Sequence, residues 1–178
     1  MATTNTQGKI SIEVEPYALK NLFTLLNSLD KEAQGRVRDA AQPLSKRLAG
    51  QLIQSADSSR TPQARLVALS ISTPRDRVIK VSIGGSKKVG RGYGGVPSKS
   101  GKKKVKLSSA PAGALLWGSE HGSHPGVDSM GRKYSMRFGV GRSKYGYWIA
   151  PVVDDYVPIV AKEYVSIIQG IANDLGLN

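Results

Sequence analysis

The middle of the chain, residues 84–107, is a segment that cannot form a hydrophobic core. It reads GGSKKVGRGYGGVPSKSGKKKVKL and carries eight Lys and Arg side chains and no carboxylate. Burial of apolar side chains drives folding, and this segment has few to bury. The fold must therefore be built from the sequence on either side. We expect a folded body with one large basic excursion.

The charge of the chain is positive and local. The sequence has 26 Lys and Arg against 13 Asp and Glu, a net charge of +13, yet no acid occurs between Asp76 and Glu120. A concentrated positive field attracts polyanions, because each phosphate that a cation neutralises releases a counterion. Nucleic acid is the first class of partner that this predicts, followed by anionic membrane surfaces and acidic proteins.

Length and composition favour a single domain over 1–178, with the basic segment as an insertion at about 84–107. The chain has no cysteine, so disulfides and thiolate metal sites are excluded. The N-terminal sequence does not match a signal peptide, and no apolar run reaches the length of a membrane span. We expect a protein made in the cytoplasm and not associated with a membrane.

The N-terminal third predicts one strand and two helices. Lys9–Glu15 alternates apolar and polar residues, which is typical of a half-buried strand. Leucine and phenylalanine recur at helical spacing over Pro16–Leu29. A second helix is expected from a cap at Asp30 to about Ala56, with a kink or a break at Pro43.

The centre of the chain predicts further short elements. Gln63–Ser72 fits a short helix and an extended segment equally well. Arg77–Ile83 is rich in β-branched residues and predicts a strand. We also expect a short helix over Ala112–Trp117, and strands over Lys133–Val140 and Tyr145–Ile149.

The C-terminal segment predicts the clearest helix. An apolar stripe at helical spacing runs from Val157 to Leu175. If Asp154 or Asp155 caps this helix, Pro158 lies in its first turn, where a missing amide proton does no harm. Otherwise Pro158 kinks the helix.

Together these elements predict an α+β fold. We expect an antiparallel sheet of about four strands, packed by the N-terminal helices and the long C-terminal helix. If Lys103–Leu107 pairs back on the strand at Arg77–Ile83, the basic segment becomes an extended β-hairpin.

No pattern in the chain predicts an enzyme, a cofactor or a metal site. The run GRGYGG at residues 90–95 matches G-x-G-x-x-G, but no helix follows it to receive a pyrophosphate. His121 and His124 lie near Glu120 and Asp128 in a loop-like sequence, which is weak evidence for metal ligation. An enzyme acting through Glu120, His121 and His124 is a rival hypothesis.

The basic segment is the candidate binding site. A solvated loop is its simplest alternative, but eight cations without an acid differ from the mixed charge of an ordinary surface. Only Tyr93 could stack on a base there, so we expect contact with phosphates or an acidic partner and no base recognition. The candidate contact residues are Lys87, Lys88, Arg91, Lys99, Lys102, Lys103, Lys104 and Lys106.

Four segments carry a resemblance to a known family. They read TPQARLVALSIS, RVIKVSIGG, ALLWGSEHGS and YWIAPVVDDYVPIVAKEY, in that order along the chain. This order resembles the small tail-component family of long-tailed bacteriophages, which includes minor tail protein Z and related tail-completion proteins of the head-tail neck. The resemblance implies a subunit interface at Trp117, Glu120, His121, Gly122 and Pro151.

The resemblance also implies a function. Members of this family are virion proteins of the head-tail junction that form a ring, with six subunits expected, around the channel for the genomic double-stranded DNA. Neighbouring head-completion or stopper proteins and tail terminator or tube proteins are the implied partners. A tail terminator, a head-tail stopper and a free-standing, non-specific nucleic-acid-binding protein are the alternatives. In the neck, residues 84–107 are expected to meet the DNA or the adjoining ring.

Overall fold

The computed structural model describes residues 8–14, 31–90, 110–127 and 130–176. The helix predicted over Pro16–Leu29 and most of the basic segment lie outside these residues. The α+β class is confirmed, since four described helices, one of them long and C-terminal, are combined with small antiparallel strand pairs. In chain order the elements are β1 (Lys9–Val14), α1 (Lys31–Ser58), α2 (Ala64–Ala68), β2 (Ile79–Gly84), β3 (Lys88–Gly90), β4 (Ala110–Pro111), α3 (Ala112–His121), β5 (Gly126–Val127), β6 (Lys133–Tyr134) and α4 (Ile149–Asp174).

The strands form three separate pairs within the described residues, whereas one sheet of about four strands was expected. β1 pairs with β2, β3 with β4 and β5 with β6. In the second pair Lys88 lies opposite Pro111 and Gly90 opposite Ala110, in antiparallel register. This pair joins the first part of the basic segment to the residues that follow it, and the pairing predicted for Lys103–Leu107 lies outside the described residues.

The chain forms two compact units, to which α1 and α4 both contribute. The first, here called the helical unit, comprises residues 11–14, 31–52, 72–82 and 152–176 of the described chain. Its buried residues recur every three or four positions, as the periodicity of both long helices predicts. They include Val37, Ala41, Leu44, Leu48 and Leu52 of α1, Ile79 and Val81 of β2, and Val160, Tyr164, Ile168 and Ala172 of α4.

Polar contacts join the elements of the helical unit. The buried hydroxyl of Ser45 donates to the carbonyl of Ala41 at 3.0 Å and accepts the amide proton of Lys80 at 3.1 Å, which ties β2 to α1. Arg47 donates two hydrogen bonds to the carboxylate of Glu163, at 2.9 and 2.7 Å, which links α1 to α4. This bond, above all other causes, raises the pKa of Arg47.

The second unit, here called the basic unit, comprises residues 8–10, 53–71, 83–90, 110–127 and 130–151. Helix α3 is its centre and is longer than the predicted Ala112–Trp117. At Gly118 the absence of a side chain lets the ring of Phe138 pack against the helix, since a β-carbon there would lie 2.0 Å from that ring. It ends at Gly122, whose φ of 72° is a conformation that favours glycine. The buried Thr61 hydroxyl donates to the Ser119 carbonyl at 2.7 Å.

Two predicted strands are wrong. Only Lys133–Tyr134 of the segment Lys133–Val140 is a strand, and Tyr145–Ile149 is not one. Backbone bonds hold part of this region to the end of α3 and the loop after it: Ser143 N–H donates to the carbonyl of His121 at 2.8 Å, and Ser123 N–H to that of Val140 at 3.3 Å. Of the apolar residues that suggested strands, Phe138, Trp148 and Ile149 are buried without a regular sheet, whereas Met136 and Tyr145 are exposed.

Of the two alternatives for the C-terminal helix, the one with a cap at Asp154 or Asp155 is wrong. Helix α4 begins at Ile149, so Pro158 lies inside it and neither Asp154 nor Asp155 is its cap. Helix α1 likewise contains Pro43 without a break. The ambiguous segment Gln63–Ser72 contains the helix α2, and Ser72 then forms a bridge with Ser82. No helix among the described residues combines the length and the apolarity of a membrane span.

Candidate polyanion-binding surface

The two units differ in charge. In the described chain the helical unit has nine Lys and Arg and eight Asp and Glu, which nearly cancel. The basic unit has ten cations and two acids, Asp57 and Glu120. The cations are Lys9, Arg60, Arg65, Lys87, Lys88, Arg132, Lys133, Arg137, Arg142 and Lys144. The excess positive charge of the described chain is thus concentrated in one unit.

Neither acid of the basic unit neutralises the exposed cations that lie away from it. Asp57 lies beside Arg65, which donates two hydrogen bonds to the Asp57 carbonyl and lies 3.9 Å from its carboxylate. Glu120 is 4% exposed, so its charge is directed into the protein. The basic unit therefore presents cations to solvent with little opposing charge.

Glu120 holds the start of helix α4. Its carboxylate accepts the amide protons of Trp148 at 3.2 Å, Ile149 at 2.8 Å and Ala150 at 2.9 Å. The first amides of a helix have no acceptor within the helix, and their partial positive charge favours an anion. Gly146 allows the approach, because a β-carbon there would lie 2.0 Å from Glu120 Oε1. Glu120 is a structural anchor for α4.

Two residues of the predicted contact set are described. Lys87 and Lys88 are exposed beside the buried Val89 in β3. Lys87 Nζ donates to the carbonyl of Leu69, next to α2. The remaining residues of that set lie outside the described residues, namely Arg91, Lys99, Lys102, Lys103, Lys104 and Lys106.

Sequence reasoning missed a second cationic segment. Residues 129–153 contain no acid, and their cations alternate with aromatic residues. The guanidinium of Arg137 lies 3.9 Å from the centre of the Tyr134 ring, and Tyr145 is 55% exposed. Cations interleaved with aromatic rings are typical of surfaces that bind nucleic acid strands. The absence of acids was visible in the sequence, but the segment was interpreted only as strands.

An open cleft lies between the end of α3 and the loop at residues 142–144. It encloses about 440 Å³ and is here called the α3 cleft. The indole of Trp117 is 64% exposed there and meets the ring of His121, with 4.1 Å between ring centres. The lining residues are Trp117, His121, His124, Arg142, Ser143 and Lys144.

Two hydrogen bonds fix this cleft. The backbone of Ser143 accepts from His121 Nδ1 at 3.0 Å and donates to the His121 carbonyl at 2.8 Å. A carbonyl oxygen only accepts, so Nδ1 carries a proton and Nε2 is left for another partner. The loop that carries Arg142 and Lys144 is thereby attached to the end of α3.

The residues of the implied subunit interface occupy different environments. Trp117 is exposed, His121 is half-buried and Pro151 is half-buried in the first turn of α4. Glu120 and Gly122 are buried, and a β-carbon at Gly122 would lie 2.1 Å from the Gly141 carbonyl oxygen. The structure brings Trp117 and His121 together, and the interface itself stays a prediction.

Among the described residues, no arrangement of side chains supports the rival enzyme hypothesis. The oxygens of Glu120 are bound to backbone amides, and Asp128 lies outside the described residues. Within the described part of the chain, no group of three or more His, Asp or Glu side chains could hold a metal ion.

Comparison with known proteins assigns no family. No protein-family model matches the chain, and neither a curated protein nor a solved structure is significantly similar to it.

Proposed function

We propose that this chain is a structural subunit of the head-tail neck of a long-tailed bacteriophage, a tail-completion protein whose basic unit faces a polyanion. The observation that carries the proposal is the excess of cations in the basic unit, where the two described acids are buried or paired. The resemblance to the tail-component family supplies the virion setting.

This charge distribution suits a subunit of a DNA channel. Contact with a passing genome requires attraction to phosphates and no base recognition, since the DNA must move. Long Lys and Arg side chains provide that attraction, and a ring multiplies it by presenting several copies at once. The nearly neutral helical unit is then available for contacts between subunits.

The position of the protein in the particle is the first test. Gold-labelled antibody on intact virions is expected to mark the junction between head and tail. Label at that junction excludes the free-standing protein, and the level of the ring within the stack then separates a tail terminator, a stopper and a completion protein. The proposal would be overturned if neither intact nor disrupted virions react with the antibody, because disruption exposes an epitope that is covered in an assembled neck.

Charge neutralisation tests the role of the basic segment. The variant Lys102→Gln/Lys103→Gln/Lys104→Gln is expected to reduce DNA retention or infectivity. The control Lys31→Gln/Lys46→Gln/Lys162→Gln removes the same charge from exposed positions of the helical unit and is expected to leave both intact. Equal effects of the two variants would contradict the proposal.

A second candidate function is a free-standing nucleic-acid-binding protein. The exposed aromatic rings of Trp117 and Tyr145 in the basic unit favour it. It predicts strong binding by the monomer, with log affinity falling by about 0.9 per phosphate contact for each decade of salt. The neck proposal predicts weak duplex binding by the monomer and stronger binding by the ring.

A further inference from the structure

The α3 cleft combines an aromatic plane with cations at one place. Trp117 leaves 64% of its surface in solvent, an unusual exposure for the largest apolar side chain. Arg142 and Lys144 line the same cleft. Its volume of about 440 Å³ lies within the range of about 300–1,000 Å³ that is common for small-ligand sites.

No carboxylate of the described residues neutralises the cations of this cleft. Among the described residues, no acid lines the cleft and none forms an ion pair with Arg142 or Lys144. Glu120 is next to His121 in the sequence, but its oxygens bind the amides of α4. An anion that enters the cleft therefore meets unopposed positive charge.

The aromatic part of the cleft is ordered before a ligand arrives. The ring of His121 is held by its bond to the Ser143 carbonyl and packs on Trp117 at 4.1 Å between ring centres. The backbone of His121 also accepts a hydrogen bond from Ser143, which ties the 142–144 loop to α3. A preformed platform lowers the entropy lost on binding.

We propose that the α3 cleft binds a nucleoside phosphate, with the base stacked on Trp117 and the phosphate held by Arg142 and Lys144. The ligand is either a free nucleotide or one unit of an exposed single strand, which share this chemistry. A duplex has its bases stacked inside and offers none to Trp117. An acidic peptide could bind the cations but leaves the indole without a stacking partner. The inference goes beyond the proposed function, because it requires neither a ring nor a virion.

Tryptophan fluorescence of the purified full-length chain is the direct measurement. The chain has two tryptophans, and Trp148 is fully buried, so quenching by a ligand in the cleft reports on Trp117. The probes are adenosine monophosphate, an octathymidylate strand, a duplex of mixed sequence and a polyglutamate peptide. We expect quenching and saturable binding with the monophosphate, with the single strand or with both. Binding of the monophosphate identifies a free nucleotide, and binding of the strand alone identifies a strand site.

Variants separate stacking from charge. Trp117→Ala is expected to weaken binding of the probe about tenfold, as loss of one base–aromatic stack does, and Trp117→Phe is expected to retain most of the affinity. Labelled probe and fluorescence anisotropy are used for these two variants. Because Trp117 is exposed, its truncation leaves no cavity in the core. Each phosphate contact with a single strand contributes about 0.7 to the slope of log affinity against log salt concentration. Arg142→Gln/Lys144→Gln removes two such contacts and is therefore expected to reduce that slope by about 1.4.

The control for charge is Lys46→Gln/Lys162→Gln, at two exposed positions of the helical unit. Three results would overturn the inference: absence of Trp117 quenching by both nucleotide probes, quenching of Trp117 by the duplex as strong as by the strand, or equal losses in Trp117→Ala and Trp117→Phe. All are read on the isolated chain, so they are independent of whether the neck assignment succeeds.

Discussion

Replacement of Glu120 tests a buried contact between segments that are distant in the sequence. Its carboxylate accepts three backbone amide protons at the start of α4, at 2.8 to 3.2 Å, and is 4% exposed. In Glu120→Ala these amides lose their acceptor where little water reaches. An unsatisfied buried donor costs about 1–3 kcal/mol, but such costs are not additive. We therefore expect Glu120→Ala to lower the free energy of unfolding by about 3–5 kcal/mol, which is less than the upper limit for three donors lost independently.

The conservative variant separates shape from charge. Glu120→Gln keeps one acceptor oxygen but turns an NH₂ group toward the α4 amides, so we expect a loss of about 1.5–3 kcal/mol. Gly146→Ala approaches the same contact from the other side, because its β-carbon would displace Glu120 Oε1. The φ of 111° at Gly146 adds strain to any side chain placed there.

The assay is urea denaturation. Unfolding is monitored by circular dichroism and by the fluorescence of the buried Trp148, whose own amide binds Glu120. The matched control is Glu163→Ala, which removes a partly exposed carboxylate from its pair with Arg47 and is expected to cost less. A loss below about 1 kcal/mol in Glu120→Ala, or one no larger than in the control, would refute the reasoning.

Three further predictions concern packing, a buried hydroxyl and pH. Gly118→Ala is expected to lower the free energy of unfolding by about 1–3 kcal/mol, because its β-carbon collides with the Phe138 ring, and Phe138→Leu in the same chain should recover part of it; additive losses in urea titrations would contradict this. Ser45→Ala leaves the Lys80 amide without its acceptor and is expected to cost about 1–2 kcal/mol in urea denaturation, against little in the exposed control Ser58→Ala. The hydrogen bond from Lys80 lowers the pKa of Glu13 below 4.5 and the same bond raises that of Lys80 above 10.5. The stability that Glu13 contributes is thus fully present above the pKa of Glu13 in the unfolded chain and is lost as the pH falls through its lower pKa in the folded protein. The stability that Lys80 contributes is lost as the pH rises through the raised pKa of Lys80. The difference in thermal midpoint between wild type and Glu13→Gln should be present at about pH 7 and vanish in acid; a constant difference would contradict the linkage.

The sequence by itself determined the elements whose signal is local. The stripes of α1 and α4 and the β-branched run of β2 follow from side-chain periodicity, which depends only on neighbours in the chain. The α+β class follows from these elements. The excess of cations was equally readable, because charge requires no knowledge of the fold.

The tertiary structure alone decided where α4 begins and what forms the α3 cleft. The acceptor for the first amides of α4 is Glu120, 28 to 30 residues earlier in the chain, so a search for a nearby cap pointed to Asp154 or Asp155. The cleft joins Trp117 and His121 of a helix to Arg142 and Lys144 of a loop that the sequence suggested was only a connection between two strands. Local patterns report which face of a segment is apolar, whereas the partner that satisfies a backbone amide or completes a binding site is set by contacts between distant segments.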